Sequence, residues 1–116
     1  MGLRSRKGLS EGKEMKLLAL EHEVSGGDAG AFQAHLKAEA MRVWELQQAG
    51  IIREIYFRQD RPEAVVVLEC NDAANAREVL ASLPLVREGL ITFEIIPLKA
   101  YPGFARLFGG LRKTRM

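Results

Sequence analysis

A carboxylate set into the apolar side of a helix is the first feature of this chain whose position invites chemistry. The stretch Ala31–Gly50, AFQAHLKAEAMRVWELQQAG, has no proline, no glycine before its end and mostly good helix formers. At about 100° per residue, Phe32, Leu36, Val43 and Leu46 fall in one narrow stripe, the face a helix turns toward a core. Glu39 projects into the middle of that stripe. His35 lies one turn before it and Arg42 about one turn after, both on the flank beside Leu46. Burying a carboxylate is costly unless it is paired, hydrogen-bonded or neutral. In one reading, burial raises the pKa of Glu39 toward the range of a working general acid/base. In the other, Glu39 tilts outward at the helix edge and pairs with an arginine from a neighbouring strand. The two separate on whether an arginine reaches the carboxylate.

Other reactive side chains are sparse. Cys70 is the sole cysteine, so no intrachain disulfide forms and a reducing, cytoplasmic setting is expected. Inside an apolar strand it reads as small core filler. The triplet Glu21-His22-Glu23 resembles a metal set, but alternation along a strand sends His22 to the face opposite the two glutamates. The chain has two histidines and no HExxH, so no metal is expected. Gly26-Gly27 lacks the GxGxxG and GKS/T patterns and reads as a turn, not a phosphate cradle.

The elements that would hold Glu39 in place follow from periodicity. MKLLALEHEV from Met15 reads as a strand, and Ser25 or Asp28 is placed to cap the helix. Gly50 sits where a helix ends in a left-handed residue. IIREIYFRQ, Ile51–Gln59, is β-branched and aromatic, with Arg53 and Arg58 on opposite faces if the strand is unbulged. Asp60–Glu63 forms a turn, and Ala64–Cys70 is apolar on both faces, the mark of a central strand. Asn71-Asp72 caps a second helix, Ala73–Leu83, which Pro84 stops. Leu90–Leu98 is the last strand, with Pro97 suiting an edge. Tyr101–Phe108 is apolar enough to dock on something.

The resulting order, β-α-β-β-α-β, is the split βαβ of ferredoxin-like α+β domains, a four-stranded antiparallel sheet with helices on one face. The other face also carries apolar side chains, so two sheets packed together as a homodimer are expected. Residues 15–105 form the domain. Residues 1–14 read as a disordered or loosely attached extension, and 106–116 as a basic tail.

Composition sets the outer bounds. At 116 residues, 47% hydrophobic and 28% charged, the chain is one ordinary globular domain. Its apolar runs are far below membrane length, and Met1–Lys16 has no apolar core of the kind a secretory leader needs. The net charge of +2 is unevenly spread: residues 15–105 carry nine Lys/Arg against thirteen Asp/Glu, leaving an acidic body with basic ends. Those ends lack interleaved aromatics, which argues against nucleic-acid binding.

Ser82-Leu83-Pro84-Leu85, then Phe93-Glu94-Ile95-Ile96-Pro97-Leu98 and Tyr101-Pro102, resembles the ending of the muconolactone Δ-isomerase family. Leu46-Gln47-Gln48-Ala49-Gly50 with Arg53 resembles that family's helix end and following strand, and Glu39, counted back from Gly50, matches a glutamate of its first helix. The resemblance covers roughly residues 15–104. It departs at Glu54 and Tyr101, where the family carries histidines, and at Ile52 and Tyr56-Phe57, where it carries tryptophans. The resemblance implies a dimeric α+β barrel, often built into larger rings, with a pocket between sheet and helices. It further implies a proton shift between two carbons of an unsaturated lactone, without metal or cofactor.

Such a reaction needs a base α to a carbonyl and positive charge or donors near the developing enolate. Glu39 is the candidate base, Arg53 and Arg58 the candidate anion partners, and Tyr56, Tyr101 and His35 the available donors. Strand arginines on an acidic body also commonly pair with surface carboxylates. Three function classes fit: an isomerase of a small unsaturated lactone or acid, a cofactor-independent monooxygenase of an aromatic or quinol, and a non-catalytic ligand-binding or assembly module.

Overall fold

The computed structural model describes residues 14–24, Gly26 and residues 29–108. The capping candidates Ser25 and Asp28 lie outside the described residues, as do most of the expected extension and basic tail.

Strand β1 (Met15–Glu23) leads to helix α1 (Ala29–Gln48), then to β2 (Ile52–Phe57) and β3 (Ala64–Cys70). Helices α2 (Ala73–Ala81) and α3 (Pro84–Arg87) precede β4 (Ile91–Pro97), and a 3₁₀ turn (Pro102–Phe104) runs into α4 (Ala105–Phe108). The sheet order is β2-β3-β1-β4, antiparallel throughout, which is the expected ferredoxin-like α+β architecture. The apolar strand β3 is central, as its two apolar faces require, and Pro97 ends the edge strand β4.

Register explains the core. Leu17 faces Leu68 and Ile52 in one row across the sheet; Ala19, Val66, Ile55 and Ile95 form the next. Both rows point at the helices, and Leu17, Leu68, Val66 and Ile52 are the largest fully buried side chains. No helix among the described residues covers the opposite face. Leu18, Val67 and Ile96 lie in line there, with Leu20 and Val65 beside them, all half-buried. Polar pairs surround this apolar centre: Lys16 with Glu69, and His22 with Glu94.

Three departures from the expected pattern have local causes. β2 carries a bulge, since Ile52 opposes Leu68 while Glu54 opposes Val67. The extra residue, Arg53, breaks the alternation and lets Ile52 and Ile55, three apart, share the helix-facing side. Pro84 does more than stop α2: it opens α3 from the first helical position, where its missing N–H costs nothing. Tyr101–Phe108 does not bury its side chains. Tyr101, Phe104, Leu107 and Phe108 are exposed, the first two in edge-to-face contact at 5.0 Å.

α1 ends in a Schellman turn. Ile51 N–H donates to Leu46 O and Gly50 N–H to Gln47 O, with Gly50 at φ +81°. A side chain at Gly50 would meet only Arg53 Nη1 at 3.6 Å, an ordinary contact, so the position demands glycine for its backbone rather than for space. Gly50→Ala should therefore lower the unfolding free energy by roughly 1–2 kcal/mol in chemical denaturation. Gly50→Asn should cost less, because asparagine tolerates the left-handed region.

Candidate active site

A cavity of about 470 Å³ opens between the sheet and the helices, at the end where β1 finishes and β3 and β4 begin. Ile52, Ile55, Val66 and Phe93 line it from the sheet; Phe32, Leu36 and Val43 line it from α1, and Leu80, Leu83 and Leu85 from the α2–α3 segment. Leu36 and Phe57 line the space yet remain exposed, which puts them at its mouth. The polar lining is Gln33 and three glutamates, Glu21, Glu23 and Glu39. Among the described residues no lysine, arginine or histidine lines the cavity.

Glu39 reaches the cavity from α1. Its Oε1 accepts the backbone N–H of Leu85 at 2.9 Å. That donor belongs to the first turn of α3, whose cap position is Leu83, a residue with no side-chain acceptor. Glu39 therefore supplies from another helix the acceptor that α3 lacks. No cation lies within ion-pair distance of the carboxylate among the described residues; Arg42 instead donates to Ser82 Oγ at 2.9 Å and Glu45 Oε1 at 3.0 Å. Burial raises the pKa of Glu39 above the usual carboxylate range, against the Leu85 N–H and the more distant charges of Arg87 and His35, which lower it.

Glu21 faces the same cavity from the sheet and is only 9% exposed. Its Oε1 accepts Ala64 N–H at 2.8 Å, just past the last β1–β3 pair, Leu20 with Val65. Burial is the largest influence on its pKa and raises it. The Ala64 bond opposes that, and the neighbouring Glu63, Glu39 and Glu23 charges add to it. Weighing Glu21 only within the Glu21-His22-Glu23 triplet, where a metal is rejected, leaves it without a role in the site. Strand period already places Glu21 with Leu17 and Ala19 on the core face, which was the available signal.

The remaining anticipated site residues do not line the cavity. The β2 bulge turns Arg53 to the helix-free side, 4.0 Å from Glu69 Oε1. Arg58 is bidentate to Asp60, with Nε 2.8 Å from Oδ1. Tyr56 O–H donates to Glu54 Oε1 at 2.8 Å and stays exposed, as does Tyr101. His35 is felt by Glu39 only through its charge. Cys70 is buried in the core, with burial pushing its thiol up to about 11. Among the described residues no group of three or more His, Cys, Asp or Glu is disposed to hold a metal ion, and no helix is long and apolar enough to cross a membrane.

The family model for muconolactone delta-isomerase matches residues 19–103. The chain belongs to the muconolactone delta-isomerase family. In this family member the matched span runs from inside β1 to the 3₁₀ turn, so both Glu21 and Glu39 fall within it. No curated protein matches the chain.

The raised pKa of Glu39 has a thermodynamic consequence. On unfolding, the carboxyl regains an ordinary pKa of roughly 4.3 and gives up its proton more readily. Its contribution to folding is then fully present below that unfolded pKa and fades as pH climbs through the folded one. Glu39→Gln keeps an acceptor oxygen for Leu85 N–H and removes the charge. It should melt higher than the parent at pH 7, with the difference closing at acid pH. A variant less stable than the parent at pH 7 would show that the fold prefers the ionised carboxylate.

Proposed function

We propose that this muconolactone delta-isomerase family member is a proton-transfer isomerase of a small unsaturated lactone or acid, with Glu39 as the base. The observation that carries this is a half-buried carboxylate, without an ion-pair partner among the described residues, lining a ligand-sized apolar cavity. A pKa raised by burial brings a carboxylate closer to the operating pH, where general-base catalysis is most efficient. Leu85 N–H holds one oxygen, which fixes the carboxylate while its second oxygen makes no hydrogen bond among the described residues. That oxygen removes a proton α to a carbonyl, and the same carboxyl returns it two atoms along, at the γ carbon. The shift is redox-neutral and calls for no metal or cofactor.

Conversion of small β,γ-unsaturated lactones and acids to their conjugated isomers, followed by ultraviolet absorbance, tests this. Glu39→Gln should lose about 10²- to 10⁴-fold in turnover, the usual scale of general-base catalysis. A fully active Glu39→Gln variant would remove Glu39 from the chemistry. Oxygen uptake with quinols in place of isomerisation would move the assignment to a monooxygenase.

The proposed assembly is a homodimer, or a ring of dimers, joined through the helix-free sheet face. The half-buried row Leu18, Val67 and Ile96 with its charged surround supports it, being an apolar centre inside a polar rim. Light scattering at micromolar concentration should give at least twice the 12.9 kDa chain mass. Placing a charge at the centre by Val67→Asp should yield monomer, whereas a monomeric parent would rule the assembly out.

A further inference from the structure

Arg42 lies three residues beyond Glu39 on α1, so the two side chains leave the helix as neighbours. Yet it makes no ion pair with that carboxylate, and it does not line the cavity. Its guanidinium turns instead to the end of α2. Nε donates to Ser82 Oγ at 2.9 Å and Nη1 to Glu45 Oε1 at 3.0 Å. The pair with Glu45 is an exposed contact within one helix and contributes little. The bond to Ser82 joins two elements, and it is half-buried.

Ser82 is a fixed acceptor. It closes α2, with its N–H donating to Val79 O at 3.1 Å and its hydroxyl giving its one proton to the same carbonyl at 2.6 Å. Only acceptor capacity is left on Oγ, and Arg42 takes it up with a donor that stays protonated. Three residues on, the chain presents the opposite group. Leu83 N–H is already bonded to Leu80 O, and Pro84, the first residue of α3, has no N–H. Leu85 N–H is therefore the first donor that α3 offers, and Glu39 Oε1 accepts it at 2.9 Å.

The two bonds bracket the α2–α3 link and run in opposite senses: α1 gives a donor to Ser82 and an acceptor to Leu85. One bond alone would let the helix swivel about the contact. Two bonds a turn apart fix its roll, and with it the direction in which the carboxylate enters the cavity. Apolar packing sets that roll only loosely at this level, because Phe32 and Val43, the half-buried stripe residues on either side of Glu39, both border the open cavity.

We infer that Arg42 is a positioning residue for the base: through Ser82 it holds the α2–α3 link so that Leu85 N–H meets the Glu39 carboxylate. The inference rests on the isomerase reading for the use made of Glu39, whereas the clamp itself is measured without turnover.

The Leu85 amide reports the clamp directly in the full chain, by hydrogen exchange followed by NMR. Ser82→Ala removes the acceptor and leaves every charge in place, including Arg87 and His35, which act on Glu39, and Glu21 across the cavity. It should speed exchange at Leu85 at least about fivefold, while the amides of the central strands β1 and β3 exchange as in the parent. The Glu39 carboxyl, having lost a donor that favours its charged form, should titrate at higher pH. Arg42→Met should loosen Leu85 to the same extent, and the double variant no further than either single one. Ser82→Thr keeps the hydroxyl and should restore the parent behaviour; Glu45→Gln spares Ser82 and should leave Leu85 unchanged. In turnover of the unsaturated lactones, Ser82→Ala should lose about 10- to 10²-fold in kcat with KM little changed, the scale of a misplaced catalytic group. A Ser82→Ala variant with a lower melting temperature but parental Leu85 exchange and Glu39 titration would overturn the inference, leaving Arg42 a structural contact alone. So would additive effects in the double variant. If Leu85 and Glu39 respond as expected but the parent isomerises nothing, the clamp stands and the isomerase reading falls.

Discussion

The structure turns on how α1 lies over the sheet, because that helix is sealed to the core at one end and lifted at the other. Leu46 is its only buried residue, and it sits in the last turn, just before the Schellman closure at Gly50. From Ala29 to Val43 the same helix faces the cavity instead. A helix sealed along its whole length would leave no such space. The lifted part is held sideways, by Glu39 to Leu85 N–H and Arg42 to Ser82 Oγ, both reaching the α2–α3 segment. Polar bonds add to the apolar packing of Ala31 and Phe32 against Leu85, Leu90 and Ile91, and together they hold the helix in place beside the cavity.

This arrangement explains why a buried carboxylate is tolerated on an apolar stripe. The cost of desolvating Glu39 is partly offset by the backbone donor it satisfies, a group that Leu83 cannot cap. The bond is thus structural and electrostatic together: it orders α3 and leaves one oxygen toward the cavity. The same logic recurs at Glu21, where Ala64 N–H is taken up as the β1–β3 ladder ends. Two backbone donors at the ends of elements orient two carboxyls into one space.

Charge is distributed with equal consequence. The acidic body predicted from composition is matched by arginines that pair locally, Arg53 of β2 beside Glu69 and Arg58, just past β2, with Asp60. These pairs are exposed and contribute little stability. Their effect is to keep the guanidinium groups out of the cavity, which leaves its lining acidic and apolar.

Periodicity, capping and turn residues were enough to set the order of elements. β3 was legible to the residue, because Ala64–Cys70 is apolar on both faces and bounded by turn residues. α2 was legible from Asp72, whose side chain accepts Asn75 N–H at 2.7 Å, and the α1 terminus from Gly50. Glu39 also stood out, since a helix stripe shows its interruptions. The side-chain directions in β2 were not legible: a bulge shifts the pairing by one residue, and nothing local to IIREIYFRQ marks where it falls. Glu21 was readable as core-facing but not as a site residue, because its partners come from β3 and from α1, distant in sequence. The sequence by itself determined the architecture and one acid on the core-facing stripe of α1, through patterns that act over a few residues. Only the tertiary structure decided that a second acid shares the cavity and that the arginines do not, because those depend on register and on how far one helix stands off the sheet.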